Sequence, residues 1–168
     1  PREKTANGSQ KIESSTGRPV ETSEQEKRND LALKKWCKEL YGEMKKMYWD
    51  IHPCKSKNMK VGGYSTQGRP LVYVVFGEEN ATNTTLILSM VHGDEVTPLY
   101  VGVRVFQWIR NNISKYPGTR VVVAPLVNPD GFFSSRQTRT NANGVDLNRN
   151  FYTEDWHRDA LRMWKHKY

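Results

Sequence analysis

The chain has 168 residues, 36% of them hydrophobic, and a formal net charge of +8. That is enough chain for one domain with a core, and no apolar run is long enough to cross a bilayer. The positive excess raises the question of a nucleic-acid partner, but there is no zinc-finger spacing and no basic stripe interleaved with aromatics, so none is expected.

Residues 1–30 are rich in Ser, Thr, Glu, Lys and Gly and nearly free of large apolar side chains. Burial cannot offset the entropy of ordering such a stretch, so it reads as a disordered polar tail, with a folded unit over 31–168. Residues 31–49 predict a helix, because Leu33, Trp36, Cys37, Leu40, Tyr41, Met44, Met47 and Tyr48 recur at helical spacing. The excess charge gathers here and just beyond, at Lys34, Lys35, Lys38, Lys45, Lys46, Lys55, Lys57 and Lys60. It reads either as a solvated helix face or as an attractor for an anionic partner. Cys37 and Cys54 are too few for a disulfide framework, and they either pair with each other or stay free.

A Gly-Gly pair and the run Ser65 to Pro70 mark turns. Leu71–Phe76 reads as a strand, and residues 78–84 as a polar turn. Leu86–Val91 is a second strand whose continuous apolar run predicts burial on both faces. It leads into His92-Gly93-Asp94-Glu95. A helix over 96–112 follows, with Leu99, Val103, Phe106 and Ile109 on one stripe. Val121–Val127 is a third strand, expected to end early or bulge at Pro125, which lacks a ladder donor. A long polar loop is expected over 128–151 and a last helix from about Glu154, carrying Trp156, Ala160, Leu161 and Trp164. The tryptophans read as core or interface aromatics. The alternation predicts an α/β fold: a mixed, largely parallel sheet with helices on both faces. Ligands bind such sheets beyond the carboxyl ends of the strands, where His92 falls.

A catalytic zinc takes three protein ligands and keeps a fourth position open for water. His92 and Glu95, three residues apart beyond a strand, can turn toward one point, with Gly93 easing a sharp turn. In the run Arg139 to Phe151, Asn141, Asn143 and Gly144 suit a loop that bonds its own backbone. The arginines suit bidentate capture of a carboxylate.

His92-Gly93-Asp94-Glu95, Asn128-Pro129-Asp130-Gly131 and Gly144-Val145-Asp146-Leu147-Asn148-Arg149-Asn150-Phe151, in that order, resemble the zinc metallocarboxypeptidase family. The likeness covers roughly residues 60–156 and is strongest to the bacterial branch that includes murein-peptide amidases. It implies Zn2+ as cofactor, His92 and Glu95 as two of its three ligands, and Asp146 as the carboxylate behind the histidine. Asn148 and Arg149 match the pair that grips a substrate's terminal carboxylate. Arg139 matches the oxyanion-stabilising arginine, with Arg136 as the alternative.

The family's third ligand, a downstream His, and its general base, a Glu further on, have no match among these residues. His52, His157 and His166 are the remaining histidines, and Glu154 lies too close to the loop to serve as the base. The resemblance thus implies the N-terminal portion of a catalytic domain, truncated after the third to fourth strand and inactive alone. The expected substrate is a peptide or muropeptide with a free carboxylate. A desuccinylase-type amino-acid deacylase and a non-catalytic binder of carboxylates or anionic polymers are the alternatives. The chain begins at Pro1 rather than Met, and the reading leans to a periplasmic or secreted protein with its leader removed.

Overall fold

The structure, a computed structural model, describes residues 23–54, 58–151, 153, 156 and 162. Four strands form one sheet in the order β1-β2-β4-β3: β1 (Met59–Tyr64), β2 (Pro70–Gly77), β3 (Asn83–Leu88) and β4 (Thr119–Ala124). Two long helices, α1 (Ser23–Lys46) and α2 (Thr97–Asn112), accompany it, with a single-turn helix α3 (Pro129–Phe132). The sheet is mixed, as expected. Only β3–β4 is parallel, while β1–β2 and β2–β4 run antiparallel, so the parallel share among the described strands is smaller than the sequence suggested.

One face of the sheet makes the core. Directly paired residues lie on the same side, and the pairs Val74↔Val123 and Phe76↔Val121 are all buried. Trp36, Leu40 and Met44 of α1 and Leu99, Val103, Phe106 and Ile109 of α2 complete the same cluster. The stripe expected on α2 is thus the buried one, and Pro98 opens the helix where its missing N–H is no loss. Helices were expected on both faces, but among the described residues the core draws on this one.

Several elements depart from expectation, each for a physical reason. Helix α1 begins at Ser23, inside the stretch assigned to the tail. Tertiary contacts rather than burial hold that start: the Tyr64 hydroxyl donates to Asn29 Oδ1 at 2.8 Å, and the Arg28 guanidinium lies 5.0 Å from the Tyr64 ring centroid. Residues 1–22 lie outside the described residues.

Strand β1 carries two glycines and a bulge between Val61 and Gly63, which masked its strand pattern. Strand β3, expected to be buried on both faces, is an edge strand here, with Leu86 61% exposed. It also starts earlier, at Asn83, because backbone pairing with β4 needs no apolar side chain. Strand β4 ends at Ala124, before Pro125, as expected. Trp36 is a core residue, whereas Trp108 is 57% exposed. Most of the expected last helix lies outside the described residues. Cys37 and Cys54 are joined as a disulfide that ties α1 to the segment leading into β1.

Candidate metal and carboxylate site

β3 and β4 run parallel, so their carboxyl ends share one edge of the sheet. Their pairing continues past both strands. Ser89 N–H donates to the Ala124 carbonyl, Val127 N–H to Ser89 and Asn128 N–H to Met90, at 2.9, 3.0 and 3.0 Å. Met90 is buried at φ 55°, a left-handed conformation rare for a side chain of this size, and it redirects the chain toward His92.

Gly93 lies in a turn, as its sequence position suggested, and it does a second thing there. It permits a close approach: a Cβ there would overlap the backbone of Gly131 and Phe132. Gly131 is equally enclosed, its notional Cβ lying 2.6 Å from Asn128 Nδ2 and 2.8 Å from the Thr138 and Thr140 carbonyl oxygens. The His92 loop and α3 are therefore packed backbone to backbone.

Asn128-Pro129-Asp130-Gly131 is a helix start rather than part of an irregular loop. The Asn128 side chain accepts from Gly131 N–H at 3.0 Å as an N-cap, with Pro129 in the first turn. The other end of the same amide donates to the carbonyls of Thr140 at 3.0 Å and Arg139 at 3.4 Å. This buried side chain thus fixes the backbone that presents Arg139. Asp130, also buried, accepts from the Ser65 hydroxyl at 2.6 Å and from Gln67 N–H at 3.2 Å, tying α3 to the β1–β2 turn. The sequence reading assigned neither residue a task, although Asn-Pro two residues before a glycine is a legible cap signal.

Four of the sequence-derived candidates form a closed ring. His92 Nδ1 lies 2.9 Å from Glu95 Oε1, and His92 Nε2 lies 3.0 Å from Asp146 Oδ1. Arg139 closes the ring, donating from Nε to Asp146 Oδ2 at 2.9 Å and from Nη1 to Glu95 Oε1 at 3.0 Å. His92 is buried, Asp146 and Arg139 are partly so, and Glu95 is half open to solvent. Partial burial pushes Asp146 upward. The hydrogen bonds from Arg139 and then His92 outweigh it and hold the carboxyl below the usual carboxylate range. The hydrogen bond to Asp146 raises Arg139 in turn, against its own desolvation.

Asn148 and Arg149 adjoin the ring through their backbones. Asp146 Oδ1 caps a 3-10 turn, Leu147–Arg149, by accepting from Asn148 N–H at 3.0 Å, and Arg149 N–H donates to the Asp146 carbonyl at 3.0 Å. The Arg149 guanidinium bonds the Asn148 carbonyl at 2.9 Å rather than any ring member. Arg136 is exposed and has no hydrogen bond or ion pair with a described residue, so of the two arginines weighed for the oxyanion role only Arg139 joins the cluster.

The donors suit half of a zinc site. Two ligand atoms about 2.0–2.2 Å from a tetrahedral ion sit roughly 3.3–3.4 Å apart. His92 Nδ1 and Glu95 Oε1, at 2.9 Å, would need to open by only a few tenths of an ångström. An Asp146 carboxylate that accepts from Nε2–H leaves Nδ1 as the lone-pair nitrogen, the tautomer a metal requires. Among the described residues no cluster of three or more His, Cys, Asp or Glu side chains could hold a metal, so the set stops at two donors.

A mixed α/β sheet with a histidine, a glutamate and an arginine gathered beyond its parallel pair is a hydrolase-like frame. Residues 46–166 match the zinc carboxypeptidase family, and the chain belongs to that family of metallocarboxypeptidase hydrolases. It is 37% identical over 100 residues to carboxypeptidase SOL1 of Arabidopsis thaliana, covering 53% of this chain and 20% of the relative. It is 30% identical over 112 residues to carboxypeptidase E of Caenorhabditis elegans, covering 53% of this chain and 24% of the relative. The chain therefore spans about a quarter or less of the curated relatives it matches. The fold is shared with a carboxypeptidase A homologue from Shewanella denitrificans, at a TM-score of 0.51 and 22% identity, over 64% of this chain and 31% of that one.

Proposed function

We propose that this chain supplies the first part of the active site of a zinc-dependent carboxypeptidase or amidase, which hydrolyses a peptide or amide bond next to a free carboxylate. One observation carries the reading. His92 Nδ1 and Glu95 Oε1 converge with Arg139 on one spot, while Asp146 fixes the imidazole from behind. Family membership supports the reaction class.

His92 and Glu95 would hold the zinc, which when bound polarises a scissile carbonyl and activates a water. Asp146 keeps the His92 ring in its metal-accepting tautomer. Arg139, whose Glu95 partner is half open to solvent, offers its guanidinium to the negative charge that develops on the carbonyl oxygen. Arg149 and Asn148, one turn beyond, would take the substrate's terminal carboxylate, the guanidinium as a two-pronged donor and the amide as a directed one.

The third ligand and the general base have no counterpart among these residues, so the 168-residue chain alone is expected to be inactive. Cell-wall peptides are the narrower substrate reading, resting on the sequence resemblance. The Cys37–Cys54 disulfide supports an oxidising compartment, periplasmic or secreted.

Zinc binding to this chain, followed by competition with a colorimetric chelator, tests the half-site. Weak binding that disappears in His92→Ala and Glu95→Ala is expected, with no release of C-terminal residues from peptides. Zinc affinity unchanged by both substitutions would refute the ligand assignment. Turnover by the unextended chain would refute its predicted inactivity.

A further inference from the structure

At the β1 edge of the sheet, opposite the β3 edge that leads to His92, a groove of about 410 Å³ lies beside the disulfide. Its floor is apolar, made by Leu33, Met59 and the bonded Cys37 and Cys54. Its rim is cationic. Lys34 and Lys38 line it, as does His52, whose ring is tilted 31° against that of Tyr41 with centroids 4.7 Å apart. His52 Nδ1 accepts from Cys54 N–H at 3.1 Å, which aims the other ring nitrogen elsewhere.

Some of the lysines of α1 are paired and others are not. Lys46 is matched to Glu43 at 2.6 Å, and Lys35 to Glu39 at 3.9 Å. Lys34 and Lys38, the two on the groove, have no carboxylate partner among the described residues, and neither have Lys27 and Lys45 elsewhere on the helix. Lys34 and Lys38 thus set two uncompensated charges beside an apolar depression. The sequence continues the trend, with Lys55, Lys57 and Lys60 following the disulfide.

We propose that this groove docks an acidic peptide segment of a partner protein, with an apolar side chain seated on the disulfide floor and carboxylates on Lys34 and Lys38. The spacing suits an extended chain. Residues four apart on a helix are separated by about 6 Å along its axis, close to the roughly 6.6 Å between alternate side chains of a strand. The apolar floor favours a peptide over a bare polyanion, which would gain nothing from it. Binding here is separate from the carboxylate grip at Arg149, since it needs side-chain carboxylates and no free terminus.

The test uses fluorescence anisotropy of a dye-labelled, C-terminally amidated peptide that alternates glutamate with serine and carries leucine at both ends. Amidation removes the feature that the Arg149 site would bind. Micromolar binding that weakens with salt is expected. The paired substitutions Lys34→Glu and Lys38→Glu should weaken it at least tenfold, with the far-ultraviolet circular dichroism unchanged, while Arg149→Gln should leave it as it is. No binding by the unaltered chain would overturn the proposal. So would equal affinity for the glutamine version of the peptide, or insensitivity to the lysine substitutions. Displacement by oligodeoxythymidine as effective as by unlabelled peptide would also overturn it, assigning the surface to polyanions in general.

Discussion

His92 and Arg139 reach the same spot from two arms of the chain that are held by different forces. The His92 arm is set by packing: a buried Met90 in a left-handed conformation, a ring 6% exposed, and Gly93 pressed on the backbone of Gly131. The Arg139 arm, from Thr138 to Asn150, has little apolar anchoring. It is held by hydrogen bonds to Asn128, Gly131, His92 and Glu95. A packed arm tolerates loss of a polar group but not added volume, whereas a hydrogen-bonded arm tolerates volume at its surface but not loss of its buried acceptors.

The strongest way to break this contrast is to add volume where the arms meet. Gly93→Val and Gly131→Val should each cost about 3 kcal/mol, the upper part of the overpacking range, seen as a lower urea midpoint. If either left the midpoint unchanged, the arms would not be packed together.

Asn128→Ala comes next, at roughly 2 kcal/mol, because it removes a helix cap and leaves the buried Gly131 N–H without its acceptor. Hydrogen exchange sharpens that comparison. The Thr138 amide, which donates to Gly131, should lose protection, while the core amides of α2 keep theirs. Equal loss in both would mean global destabilisation and no division into arms.

The smallest effect belongs to the ring's ion pairs. Arg139→Gln should cost about 1 kcal/mol or less, since both Arg139 and Glu95 are open to solvent on one side. High salt should shrink the difference between Arg139→Gln and the unaltered chain. A larger cost, insensitive to salt, would place Arg139 among the structural residues and weaken its proposed role toward substrate.

Short-range signals carried much of this reading. The stripe on α2, the stop before Pro125 and the three ordered motifs depend on residues near one another in sequence, so they were legible without a structure. So was the pairing of His92 with Glu95, because three residues past a strand leave few places for either side chain to go. The cap at Asn128 was legible in principle and was overlooked because the surrounding segment reads as polar loop. The early start of α1 was not legible, since Arg28 and Asn29 are held by Tyr64, which the chain brings in from β1.

Sequence by itself determined the α/β class, the family likeness and three members of the ring, His92, Glu95 and Asp146. Tertiary structure alone decided that Arg139 rather than Arg136 completes that ring, that Gly93 serves close approach, and that β3 is an edge. It also decided that Lys34 and Lys38 of α1 border a groove. The physical reason is range: periodicity and capping act within a few residues, whereas backbone contacts such as Gly93 on Gly131, and salt links spanning 44 or 54 positions, exist only once the sheet has closed.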